Sequence, residues 1–233
     1  DRTMTDQELD RMLRRALLDA ADQEAQTPPE TEALWVAPLS YRSRVLELIE
    51  AETAKGEAGR IAIKVNSMND IGVMTALIRA SRAGVRTELF IRGICCLRPG
   101  VAGYTENITV RSVVGRYLEH SRIFAFGEGA EQRIFIGSGD LLNRNTRRRV
   151  EVFAEVRDGD PRREILHLVD AIRMDNQNSW EMLSDGSYVK DNSDHAEPLD
   201  SHTYLHHYFE KPFELPPAKL SLKERLFGRF HKN

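Results

Sequence analysis

Two residues apart in the stretch YLEHSRIFAF, Tyr117–Phe126, stand a histidine and an arginine, His120 and Arg122. An imidazole can attack phosphorus or hand a proton to a leaving oxygen. A guanidinium grips phosphate oxygens as a fork. On one surface the two would bind and activate a phosphoryl group. Read as a two-faced strand, the run sends Leu118, His120, Arg122 and Phe124 to one side and Glu119, Ser121, Ile123 and Ala125 to the other. Alone, the pair does not outweigh a half-buried histidine with a satisfied ring nitrogen, because short motif hits carry a high false-positive rate.

Downstream residues shift that balance. Ile136-Gly137-Ser138-Gly139-Asp140 closes a strand, and Arg144-Asn145 follows. Glycines let backbone approach a ligand, and their N–H groups can cradle an anion. Ser138 and Asn145 would add neutral donors. As a lone signal, Gly-Ser-Gly-Asp is only a turn. The run Asn143–Arg149 then supplies Arg144, Arg147, Arg148 and Arg149. A polyanion needs repeated cations along its path. Strand alternation would send Arg147 and Arg149 to one face and Arg148 to the other, with Glu151 and Glu155 as competing ion-pair partners. Ligand contact is favoured for Arg148 or Arg149. Lys64 and Asn66 stand at the carboxyl end of a strand, where α/β sheets place ligands. They are weaker candidates, as is Arg111, for which a solvated or paired role weighs equally.

These residues need a scaffold. Ser40–Lys55 reads as a helix. Ile61–Val65 is short and β-branched, Asn69–Ala83 has helical spacing before Gly84, and Val85–Ile91 is again a strand. Strand, helix and strand in that order predict a parallel pair. Further strands are expected at 110–114, through the opening stretch, at 132–137 and at 150–156, and a helix at 161–174. The fold class is α/β, a mixed sheet with helices on both faces. A capping box, Thr5-Asp6-Gln7-Glu8, starts a helix to about Ala25, and Thr27-Pro28-Pro29 begins a linker. The expected division is therefore 1–34 helix and linker, 35–190 domain, and 191–233 a polar tail, loosely docked or disordered.

Composition excludes several classes. The 233 residues carry 33 Lys and Arg against 36 Asp and Glu, a net charge of -3. No global field draws in nucleic acid or a membrane. No apolar run approaches the roughly 20 residues of a membrane helix, and the N-terminus has no signal core. Cys95 and Cys96 are adjacent, which disfavours a bridge, points to a reducing compartment and reads as small buried filler. His195, His202, His206 and His207 follow no common zinc spacing and have no Cys partners, so they read as solvated tail residues and no metal site is expected.

The half-motif resembles that of the phospholipase D superfamily, His-x-Lys, four residues, Asp, then Gly-Ser-x-Asn. Arg122, Gly127 and Asp140 depart from it, which weakens a phospholipase or nuclease reading. A longer resemblance rests on IKVNSMND, ELFIRGICCLRPGV, ENITVRSVVGRYLEHSRIFAF, IFIGSGD, RNTRRRVEV and SDGSYV, in this order. From about Trp35 to Lys190 the chain is similar to the C-terminal half of the bacterial polyphosphate kinase family, the larger ATP-dependent type. That resemblance implies two phospholipase D-like halves, a histidine from each in one active site, and reversible transfer of the ATP γ-phosphate to polyphosphate through a phosphohistidine, with Mg2+ accompanying ATP. It implies oligomers and a cytoplasmic setting, with peripheral membrane association open to the full-length protein. It puts a nucleotide-phosphate contact on Arg92, the second essential histidine on His120, and family basic positions on Arg122, Arg144, Arg148 and Arg149. Only one suitable histidine is found and position 1 is not methionine, so a C-terminal fragment is expected, with the attacking histidine upstream. The competing readings are a non-catalytic polyphosphate- or nucleotide-binding module and, lower, a phosphodiesterase.

Overall fold

The structure, a computed structural model, describes residues 33–157, 159–190 and 197–210. The helix expected from Thr5, His195 and the segment after Glu210 lie outside the described residues.

The β-branched run Arg60–Val65 forms β2, after β1 (Leu34–Ala37) and α1 (Tyr41–Thr53). Asp70 caps α2 (Ile71–Arg82) by accepting from the Val73 N–H, and Val73, Ala76, Leu77 and Ala80 form its buried stripe. Gly84, at φ 96, turns the chain into β3 (Arg86–Ile91). Then come β4 (Ile108–Val113), β5 (Arg122–Phe126), β6 (Arg133–Gly137), α3 (Asn143–Arg147), β7 (Glu151–Glu155), α4 (Gly159–Met174), β8 (Ser179–Met182), β9 (Tyr188–Lys190) and α5 (Ser201–Phe209).

The described strands make one mixed sheet in the order β1-β7-β6-β5-β2-β3-β4-β8-β9. β2 runs parallel to β3, as the strand–helix–strand order predicts, and β3 also runs parallel to β4, with no helix between them. The other pairs are antiparallel. Ile61, Ile63, Leu89, Phe124, Phe135 and Phe153 project from one face into a core shared with α1 and α2. Phe90, Val113, Ile123 and Ile134 project from the other, under Val169 and Ile172 of α4. Helices therefore flank both faces, and each large apolar side chain buried this way contributes about 1.5–3 kcal/mol. Tyr41 stacks on Phe153 with ring centres 4.1 Å apart, which pins α1 to the sheet.

Four expectations are corrected. The strand of the opening stretch starts at Arg122, so His120 lies in the preceding loop and the alternation argument does not reach it. The arginine run begins as a short helix, α3, which removes the face assignments made for Arg147, Arg148 and Arg149. Cys96 is exposed rather than buried, and both thiols are free. Residues 201–209 form a capped helix, not a loose tail: Asp200 accepts from the His202 and Thr203 N–H groups, and Ser201 donates twice to Asp175. His202 is consequently buried, not solvated.

Candidate active site

β5 runs antiparallel to β2, so its amino end meets the carboxyl ends of β2 and β3. Gly137, the last residue of β6, pairs with Arg122. The topology thus gathers Asn66, Arg92, His120, Arg122 and the Ser138–Asp140 turn at one end of the sheet.

Asp140 is the hub. Its Oδ1 accepts from the Asn66 N–H (2.8 Å), from Asn66 Nδ2 (3.1 Å) and from Arg122 Nε (3.2 Å). Its carbonyl accepts from the Tyr41 hydroxyl at 3.3 Å, and burial raises the Tyr41 pKa well above its usual value, so the donor keeps its proton. Held this way, Arg122 turns Nη1 onto His120, 2.8 Å from both the ring Nδ1 and the carbonyl. Nη2 of the same guanidinium lies 3.3 Å from the ring Nε2, and since arginine only donates, each ring nitrogen has a donor facing it. The ring is held against the guanidinium and remains exposed.

Arg92 is oriented through Nε alone, which donates to Asn66 Oδ1 at 2.9 Å and to the Glu119 carbonyl at 2.5 Å. Both Nη groups remain free of hydrogen bonds to described residues and present a phosphate-sized fork. Lys64 serves from beneath: Nζ pairs with Glu119 Oε2 at 2.9 Å and donates to the Ser121 carbonyl at 3.2 Å. Burial lowers its pKa, against the opposing pull of Glu119. Arg92 and Lys64 thus grip the carbonyls on either side of His120.

Ser138 and Asn145 do not face this site as free donors. Ser138 Oγ donates to Glu151 Oε2 at 2.5 Å and accepts from the Val152 N–H, while Asn145 Nδ2 donates to Glu151 Oε1 at 2.6 Å. Glu151, weighed as a partner for the arginines, binds these two instead. The glycines answer to packing: a Cβ on Gly137 would lie 2.1 Å from the Phe153 ring, and one on Gly139 would lie 2.8 Å from the Glu151 stem.

Beyond Asp140 the chain continues into a cavity of about 680 Å³ lined by Asn69, Ile94, Asn143, Arg144, Arg147 and Arg148 among others. Arg149 is exposed nearby in sequence. None of the four arginines pairs with a described carboxylate; Glu155 is taken by Arg133 and Arg157.

Comparison with known proteins bears on this arrangement. The family model of the polyphosphate kinase C-terminal domain 2 matches residues 34–202. The chain belongs to this family. Among similar curated proteins are the polyphosphate kinases of Synechocystis sp., 46% identical over 162 residues, and of Streptomyces coelicolor, 45% identical over 164 residues; the matches take in 68% and 69% of this chain and 22% of each relative. The chain thus spans about a fifth of the length of the curated relatives it matches. A crystal structure of the polyphosphate kinase from Porphyromonas gingivalis superposes with a TM-score of 0.74 at 34% identity, over 84% of this chain and 30% of that one.

Not every sequence candidate belongs to this end of the polyphosphate kinase domain. Arg111 donates to the carbonyl of Arg173 at 2.8 Å, near the carboxyl end of α4, and so serves that helix end. Two neighbours of His120 were not read as such in the sequence, where Glu119 was only a strand-face residue and His202 a solvated tail histidine. Glu119 stands beside His120, and an acid next to a candidate histidine was a usable signal. His202 comes from a segment more than eighty residues away, and no local pattern announces it. Among the described residues no group of three or more His, Cys, Asp or Glu side chains could hold a metal ion. Glu119 already meets Lys64, and Asp140 meets Arg122. Among the described residues this donor set does not fit a protein-held Mg2+.

Proposed function

We propose that this domain forms one side of a phosphoryl-transfer site that moves the γ-phosphate of ATP reversibly onto polyphosphate. The convergence of the His120–Arg122 pair and the free fork of Arg92 at one end of the sheet carries the reading. Arg92 and Arg122 bind and orient the phosphate oxygens. A histidine nitrogen in the rest of the polypeptide forms the P–N bond as the bond to ADP breaks, and His120 faces the departing oxygen as general acid or charge stabiliser. In the second step the terminal oxygen of polyphosphate forms the new P–O bond and the P–N bond breaks. The arginines of the neighbouring cavity accompany the polyanion. ATP, ADP and polyphosphate are the proposed partners, with the upstream half of the polypeptide and other copies of it. Two free thiols suit a cytoplasmic, reducing setting. No helix among the described residues is long and apolar enough to cross a membrane.

The test uses the full-length protein that contains this domain. With γ-labelled ATP and magnesium, acid-labile phosphate is expected on a histidine outside residues 33–210. His120→Ala is expected to lower polyphosphate synthesis by about a thousandfold, at the middle of the range for a positioned acid–base group. Label on His120 itself would reverse the assignment of roles. Full activity in His120→Ala would refute the reading and favour a domain that only binds polyanions.

A further inference from the structure

His120 rides on a loop, residues 114–121, whose second half is well tied. The carbonyls of Glu119, His120 and Ser121 accept from Arg92, Arg122 and Lys64 respectively. The first half depends on something else. Val114 donates to the Asn178 carbonyl at 3.1 Å, and the next anchor is the Tyr117 N–H, which donates to Nδ1 of His202 at 3.1 Å. That ring is on α5, and its side chain is 1% exposed. A Cβ on Gly115 would fall 2.6 Å from the same Nδ1, so the loop backbone passes directly against the imidazole. The Tyr117 ring flanks it, with centres 5.9 Å apart.

The other nitrogen faces the same loop. Because Nδ1 accepts, the neutral ring carries its proton on Nε2. Nε2 lies 3.3 Å from Oε1 of Glu119, whose Oε2 is held by Lys64 at 2.9 Å. That N–H is buried and out of hydrogen-bond line with every described acceptor. A buried donor left unmatched costs about 1–3 kcal/mol, so filling the space alone would favour an apolar ring.

His202 is delivered rigidly. Ser201 binds Asp175 through both N–H and hydroxyl, and Leu199 and Asn176 exchange two hydrogen bonds. This clamps the start of α5 to the turn between α4 and β8.

We infer that His202 is a positioning residue for His120: its imidazole accepts from the Tyr117 N–H, packs beside Glu119 and sets the height of the loop that presents the phosphate-handling ring. The inference rests on the proposed phosphotransfer for its kinetic consequence, but the loop contact can be read independently. A displacement of about 1 Å at a reacting group can cost a hundredfold in rate.

The experiment uses the full-length protein with His202→Phe, which keeps a ring and removes both nitrogens, and His202→Asn, whose side-chain oxygen can replace the Nδ1 acceptor. Three quantities are read: kcat and KM for ATP-driven polyphosphate synthesis, and the hydrogen-exchange rate of the Tyr117 amide. For His202→Phe, kcat is expected to fall about ten- to a hundredfold with KM for ATP changed less than about threefold, and the Tyr117 amide to exchange at least about tenfold faster. His202→Asn is expected to recover most of both. Parent-like kcat and exchange in His202→Phe would overturn the inference, as would an Asn variant no better than Phe. Should the Phe variant fail to fold, Gly115→Ala attacks the same contact from the exposed loop and is expected to give the same pair of changes; unchanged exchange there counts against the inference. A parent protein with no transfer activity refutes the phosphotransfer reading, while the exchange comparison still decides the role of His202 in holding the loop.

Discussion

Asp140 is the residue on which the site's geometry turns, because a single oxygen satisfies a buried backbone N–H, a buried amide and a guanidinium. Asp140→Ala leaves all three without their acceptor and Arg122 without its counter-charge. Breaking such a buried pair costs about 3–5 kcal/mol. Asp140→Asn keeps an oxygen for the Asn66 groups and loses only the charge, so its cost is expected to be about half as large. Denaturant unfolding of the two variants checks the order; equal losses would mean that charge alone matters. At this scale the sequence showed types but not partners. His120, Arg122 and Arg92 stood out because few residue types handle phosphate, and the structure brings them to one end of the sheet. Ser138 and Asn145 were misjudged as ligand donors, because nothing local says that Glu151 takes both. Gly137 likewise looked like a cradle for an anion, when the Phe153 ring alone demands its missing Cβ.

Elements are held to one another by a second buried carboxylate. Asp70 caps α2, pairs with Arg42 of α1 at 2.9 Å and accepts from Thr146 of α3 at 2.9 Å. Burial pushes its pKa up, but the hydrogen bonds from Arg42, the Val73 N–H and Thr146, with the Arg42 charge, outweigh it and hold the carboxyl below its usual value. A folded-state pKa below the unfolded one gives stabilisation that is complete at neutral pH. It fades as pH falls from about 4 through the depressed value. Asp70→Asn is expected to lose about 1–3 kcal/mol at pH 7, since hydrogen bonds to a charge are the ones removed. The gap to the parent should narrow by pH 3, as followed by thermal unfolding across pH; a constant gap would place the effect in packing. The strands and helices from residue 60 to 91 were readable from periodicity, because their buried faces repeat cleanly. β8, β9 and α5 were not. β9 is exposed along its length, and α5 is fixed by polar clamps at Asp175 and Asn176 rather than by an apolar stripe that a sequence pattern reveals.

For the whole molecule, a net charge of -3 conceals an uneven distribution. Much of the basic charge elsewhere is neutralised locally, as Arg133 and Arg157 are by Glu155 and Arg173 is by Glu88 and Asp170. At the cavity beside the His120 site, Arg144, Arg147 and Arg148 have no carboxylate partner among the described residues. A polyanion bound there releases counterions as each cation meets a phosphate, so its affinity must fall with salt. Net charge alone does not reveal this surface; only the local run of arginines signalled it. In the full-length protein, Arg144→Gln, Arg147→Gln and Arg148→Gln combined are expected to weaken polyphosphate binding at low salt. They should also make the slope of log affinity against log salt shallower by about 2, the loss of three contacts at roughly 0.7 each, as for a flexible single-stranded polyanion. Nucleotide binding through Arg92 should change far less, because that fork is held from the opposite side by Asn66 and Glu119. An unchanged slope would move the polyanion path away from this cavity, whereas equal weakening for nucleotide and polyphosphate would mean that the two ligands share one set of cations.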